Sequence, residues 1–116
     1  MEISNDRAYF LLDYYCSHSV RLHIGGKIAG EKAASEAKIV SVDRELRTIA
    51  VELSDRASAR TWRRVIPLRN ASVSLHLLGE AGFEQWADGP WHSIMVLAYD
   101  DGTTLFIAEP MSAPRG

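Results

Sequence analysis

The chain has 116 residues, the size of one ordinary domain. It is 47% hydrophobic and 24% charged with a formal net charge of −2, which excludes a collagen, a disordered tail and a low-complexity repeat. Its single cysteine excludes a disulfide scaffold or cysteine-rich zinc module, and no apolar run approaches the length of a membrane span.

Residues 5–17 predict a short helix. Asn5 or Asp6 is its expected N-cap, and Ala8, Leu11, Leu12 and Tyr15 fall at helical spacing on one stripe. The period then changes to two. Val20-Arg21-Leu22-His23-Ile24 alternates as a strand, Gly25-Gly26 is expected to end it in a tight turn, and Lys27 to Gly30 begins a returning strand. Residues 31–37, rich in Ala, Glu and Lys, read as a helical turn or a loop excursion. Residues 38–42 and 48–53 are β-branched and bracket Asp43-Arg44-Glu45 as two antiparallel strands.

Residues 54–59 are polar and read as a loop. In the extended run 60–68, Trp62, Arg64, Ile66 and Leu68 share one face, with Thr61, Arg63 and Val65 on the other. Pro67 has no N–H to donate to a ladder, so this strand lies at a sheet edge or breaks there. Val73, Leu75 and Leu77 alternate in a further strand. Five short strands after one helix, with no strand–helix alternation, predict a mainly β fold: a small, strongly bent antiparallel barrel over 19–78. Residues 80–109 read as an extension of the same single domain. It comprises a short helix, then a hairpin of 91–99 and 103–108 turned at Asp100-Asp101-Gly102.

Charge is unevenly placed along the chain. Between Arg21 and Arg69 there are eleven Lys or Arg against six Asp or Glu, while the remainder holds two Arg against nine acids. A basic middle flanked by acidic ends reads either as a local surface for an anionic partner or as solvated poles that neutralise one another in the fold or between subunits. The pI of about 6.1 lies well below that of dedicated nucleic-acid domains, so any such contact is local.

No catalytic constellation is present, and neither a metal nor a cofactor is implied. Gly25-Gly26-Lys27 lacks the first glycine and the hydroxyl residue of a phosphate loop. The four histidines lack zinc-ligand spacing, and Cys16 with His18, two apart on a helix, point to different sides. The acidic residues 1–6 do not open as a secretory signal, so the expected address is the cytoplasm, with no membrane partner. Without such a signal, the Asn70-Ala71-Ser72 sequon carries no glycan.

Two stretches carry a family pattern. The first is Val20-Arg21-Leu22-His23-Ile24-Gly25-Gly26, then Gly30, then Val42-Asp43-Arg44-Glu45-Leu46-Arg47-Thr48-Ile49-Ala50-Val51. The second is Leu68-Arg69-Asn70-Ala71-Ser72-Val73. Together they resemble the two motifs of the Sm/LSm/Hfq family over roughly residues 20–75. The segment between Gly30 and Asp43 is longer here. Arg47 stands where that family has Asn, Glu45 where it often has an aromatic residue or His, and Asn70 where it has Gly.

The resemblance implies an N-terminal helix on a five-stranded barrel, and a homo-oligomer in which the fourth and fifth strands of neighbours pair, up to a closed ring. It also implies RNA or single-stranded nucleic acid as ligand. Arg47, Arg63, Arg64 and Arg69 are the expected anion-binding residues, with Asp43 and Asn70 at the motif turns. Trp62, Ile66, Leu68, Val73 and Leu75 are the expected interface. The alternative is a protein–protein or assembly module on the same barrel with no nucleic-acid ligand, since interfaces favour Trp and Arg.

Overall fold

A computed structural model of the protein describes residues 1–28, 31–32, 35–55, 59–77 and 91–110. These form one helix and eight strands: α1 (Asn5–Ser17), β1 (Leu22–Ile28), β2 (Glu31–Lys32), β3 (Ser35–Asp43), β4 (Thr48–Asp55), β5 (Arg60–Pro67), β6 (Ala71–Leu77), β7 (Trp91–Tyr99) and β8 (Thr104–Pro110). The expected short helix after residue 80 lies outside the described residues.

Helix α1 occupies the expected residues, but its N-cap lies one residue ahead of Asn5. Ser4 is the N-cap, in an extended conformation, and its hydroxyl oxygen accepts from the Arg7 N–H at 3.2 Å. Asp6 falls in the first turn instead, where a carboxylate complements the helix dipole. The other end closes on Ser19, which adopts φ 49°. Ser19 N–H donates to Cys16 O (3.2 Å) and Val20 N–H to Tyr15 O (3.0 Å), which together satisfy the last carbonyls. The predicted stripe faces inward, with Ala8, Leu12 and Tyr15 buried and Leu11 packed beside them.

The strands form an antiparallel sheet in the order β5-β4-β3-β1-β8-β7-β6, with β2 pairing β1 off this path. The sheet is open: β5 and β6 are its two ends and do not pair with each other. The expected closed five-stranded barrel is therefore corrected. Closure would require β5 to pair with β6, and the β7–β8 hairpin, inserted between β1 and β6, lengthens the path from five strands to seven.

That hairpin is likewise not an extension. β8 pairs β1 (His23 with Ala108, Gly25 with Phe106) and β7 pairs β6 (Val73 with Leu97, Leu75 with Met95). The physical reason is burial on both faces. Met95, Leu97 and Ile107 belong to the main core, while Ile94, Val96 and Ala108 form a second buried cluster on the opposite face.

The main core draws on both halves of the sheet. Ile49, Val51, Leu53 and Ile66 from β4 and β5 belong to one cluster with Val73, Leu75, Met95 and Leu97 from β6 and β7, together with the helix stripe. At about 25 cal/mol per Å² of apolar area, each fully buried Leu or Ile contributes about 1.5–3 kcal/mol. A bulge between Ile39 and Ser41 shifts the inward parity of β3 from residues 37 and 39 to residue 42, and leaves Val40 partly exposed.

The Gly25-Gly26 turn is also corrected. Both glycines lie inside β1, opposite Phe106 and Leu105 of β8. Gly26 has φ 118°, and a Cβ there would overlap the carbonyl oxygen of Thr104. Its role is a close approach of two backbones at a bend, from which β1 continues to Ile28 and pairs with β2. Residues 35–37, read as helix or loop, are the start of β3.

Candidate nucleic-acid interface

Two turns meet at one end of the sheet. In the β3–β4 turn, the Asp43 carboxylate accepts from the Leu46 N–H at 3.0 Å, and Arg47 takes the left-handed conformation at φ 54°. In the β5–β6 turn, Asn70 is left-handed at φ 59°. Asn tolerates this region better than most residues, which accounts for its use where the resembled family has Gly.

One hydrogen bond ties these two turns together, and two more tie the second of them to the end of β7 and the turn that follows it. Leu68 N–H donates to Arg47 O at 2.7 Å and Asp100 N–H to Asn70 O at 3.2 Å. The Tyr99 hydroxyl donates to Pro67 O at 2.7 Å. Burial, with the Asp101 carboxylate as a smaller contributor, pushes the Tyr99 phenol up to about 12, so it stays a donor throughout the neutral range.

Between these turns and the start of α1 lies a cleft of about 380 Å³. Ala8, Leu12, Leu68, Ala71, Val73 and Leu97 give it an apolar lining, and Asn5, Asp6, Tyr9, Arg44, Arg47, Arg69 and Asn70 supply its polar groups. The three guanidinium groups differ in their engagement. Arg44 donates to the Asp13 carboxylate at 2.8 Å and stands over the Tyr9 ring, 5.2 Å from its centre. Arg47 and Arg69 are exposed, and neither has an ion-pair partner among the described residues. Each offers five N–H donors in a planar fork, which matches phosphate or carboxylate oxygens in pairs.

The remaining expected anion-binding residues are not brought here. At about 3.3 Å per residue, Arg64 and Arg63 lie about 10 and 13 Å back along β5 from Pro67. They also sit on opposite faces. Arg64 is half-buried on the inner face with Trp62, whereas Arg63 is exposed and pairs with Glu52 at 3.6 Å. Ile66, Val73 and Leu75, expected at an interface, are buried in the chain's own core, and Trp62 and Leu68 pack against it.

The cleft also includes residues that sequence reasoning did not single out. Arg44 reads locally as a turn residue and Tyr9 as an off-stripe position of the helix. Arg44 shares the β3–β4 turn with Arg47, and the packing of α1 against β3 brings Tyr9 beside Arg44, which no short-range pattern signals.

Elsewhere the polar groups have ordinary structural partners. Cys16 packs against the core and its thiol donates to Val40 O at 3.4 Å. The His18 ring stacks on Tyr14 with centres 4.3 Å apart. Burial pushes the Tyr15 phenol up to about 12; a hydrogen bond with Ser93 opposes this and the nearby Glu109 charge adds to it. Among the described residues no group of three or more His, Cys, Asp or Glu is placed to hold a metal ion, and no helix is long and apolar enough to cross a membrane. Compared with protein families, with characterised proteins and with solved structures, the chain matches none of them.

Proposed function

We propose that the chain is a non-catalytic, Sm-like binding module that holds RNA or another single-stranded nucleic acid at the cleft beside the start of α1. One observation carries this reading: two turns more than twenty residues apart in sequence deliver Arg47 and Arg69, exposed and without ion-pair partners among the described residues, to a single cleft. Guanidinium groups in that setting take phosphate oxygens, and the apolar lining offers a surface for a ribose or base.

Phosphate contacts position a strand without reading its sequence. At Glu45 the chain has a carboxylate where the resembled family often places a base-stacking ring, and a stacking platform is worth about 1–3 kcal/mol per base. Oligo-U and oligo-A are therefore expected to bind alike. The test is a fluorescence titration of labelled oligo-U and oligo-A at two salt concentrations. Affinity that weakens with salt for both supports the reading, and affinity weaker than about 1 mM for both removes it.

A further inference from the structure

The two ends of the sheet differ in what their backbones offer. On β6 the outward groups are engaged by residues 1–3. Ile3 N–H donates to Val73 O (3.0 Å), Leu75 N–H donates to Met1 O (2.8 Å), and the Met1 ammonium donates to Leu75 O (3.2 Å).

On β5 the antiparallel alternation fixes which residues face out. Leu68 N–H donates to Arg47 O in the same register that sets Pro67 opposite Thr48. Ladder bonds to β4 therefore fall on the even-numbered residues of β5, and the odd-numbered ones turn their N–H and C=O groups away. Pro67 lies on an outward position, where its missing N–H breaks no ladder bond, and its carbonyl accepts from Tyr99. Among the described residues no strand pairs with the outer side of β5, and Thr61, Arg63 and Val65 line that edge with all three side chains exposed.

That edge is also charged. β5 carries Arg60, Arg63 and Arg64 and no acid. A second copy of β5 fits it poorly. The three central antiparallel registers that pair outward residues with each other oppose Arg60 with Arg64, Arg63 with Arg63, or Arg64 with Arg64, and like charges directly opposite are unfavourable. A second copy's β6 is already engaged by its own residues 1–3.

The complementary occupant is an extended acidic segment of another protein. We infer that the β5 edge binds such a segment by strand addition, with backbone hydrogen bonds to Thr61, Arg63 and Val65 and a carboxylate opposite Arg63. From the other side Glu52 already approaches Arg63 at 3.6 Å, the same pairing that the added strand would repeat. The Val65 side chain, 67% exposed, sets a β-branched residue opposite it. This surface is separate from the cleft, and its test does not depend on RNA binding.

The probe is a synthetic heptapeptide, Thr-Val-Glu-Val-Glu-Val-Thr, with a twin bearing Lys in place of Glu, titrated against the full chain. Amide exchange followed by NMR reads the site. The acidic peptide is expected to slow exchange at Thr61, Arg63 and Val65, and the lysine twin is not. Arg63→Glu and Val65→Pro are each expected to weaken binding about tenfold. Proline is tolerated on an outward edge position, and if Val65→Pro nonetheless unfolds, Arg63→Glu decides alone. Four results overturn the inference: no protection at about 1 mM peptide, equal binding of the lysine twin, undiminished binding by the folded variants, or the same amides protected by a second copy or by oligo-U.

Discussion

Replacing Arg47 and Arg69 together by Gln removes both cleft cations that lack an ion-pair partner among the described residues, while preserving much of the side-chain length. Each cation neutralising a phosphate of a single strand contributes about −0.7 to the slope of log affinity against log salt, so the pair predicts about −1.4. Over a fourfold rise in salt, from about 50 to 200 mM, that slope weakens binding about sevenfold. If Arg44 exchanges Asp13 for a phosphate, the slope steepens to about −2.1. The double variant should bring it close to zero, or to about −0.7 where Arg44 contributes. Both side chains are exposed, so stability should change by no more than about 0.5 kcal/mol. Arg63→Gln with Arg64→Gln is the matched control, removing equal charge about 10–13 Å along β5. Fluorescence anisotropy with labelled oligo-U at four salt concentrations gives the slopes. A slope that ignores Arg47 and Arg69, or that falls equally in the control, refutes the cleft as the contact.

Gly26→Ala places a Cβ against the Thr104 carbonyl at a φ of 118°, and should destabilise the fold by about 3 kcal/mol or more in urea denaturation; a loss below about 0.5 kcal/mol would show that the β1–β8 approach is looser than described. Stability should also fall at high pH. An unfolded phenol ionises near pH 10.0 and that of Tyr15 near 12, so the stability present below 10 is lost as pH rises between the two values. The loss from this group is about 3 kcal/mol, and Tyr15→Phe should flatten that part of the urea-midpoint profile. A chain lacking residues 1–3 loses three hydrogen bonds on β6, with an expected cost of about 2 kcal/mol, and should show concentration-dependent mass in light scattering; an unchanged midpoint and mass would mean that these residues do not guard the edge.

Much of the fold can be read in the sequence wherever one face of an element is wet. The α1 stripe and the alternation in β5 and β6 each separate a buried face from an exposed one, so their periods show. The N-cap was misplaced because Ser4, Asn5 and Asp6 are all good caps and only the hydrogen bond to Arg7 distinguishes them. The Asp100-Asp101-Gly102 turn identifies the hairpin but not its position in the sheet. A signal for that position does exist: Ile94-Met95-Val96-Leu97 is continuously apolar, as a strand buried on both faces must be, whereas an outlying hairpin would alternate. For the cleft, the family resemblance supplies Arg47, Arg69 and Asn70. Arg63 and Arg64 are near Arg69 in sequence, but an extended chain carries them away from it.

The positive surplus of residues 21–69 overstates the anion-binding capacity of the surface. Arg21 pairs with Glu36 at 2.9 Å, Lys38 and Arg63 both approach Glu52, and Arg44 holds Asp13. Contacts of this kind between exposed side chains are worth about 0–1 kcal/mol each, too little to fix the fold, yet enough to cancel the long-range field of the cations they engage. The Arg44 pair, with side chains 56% and 46% exposed, can open at that small cost when a stronger anion arrives, since each phosphate offers more acceptor oxygens and denser charge than one carboxylate. The cleft then presents three guanidinium groups instead of two. Recognition of this kind depends on which cations the turns leave without carboxylates, and the net charge of the segment does not reveal them.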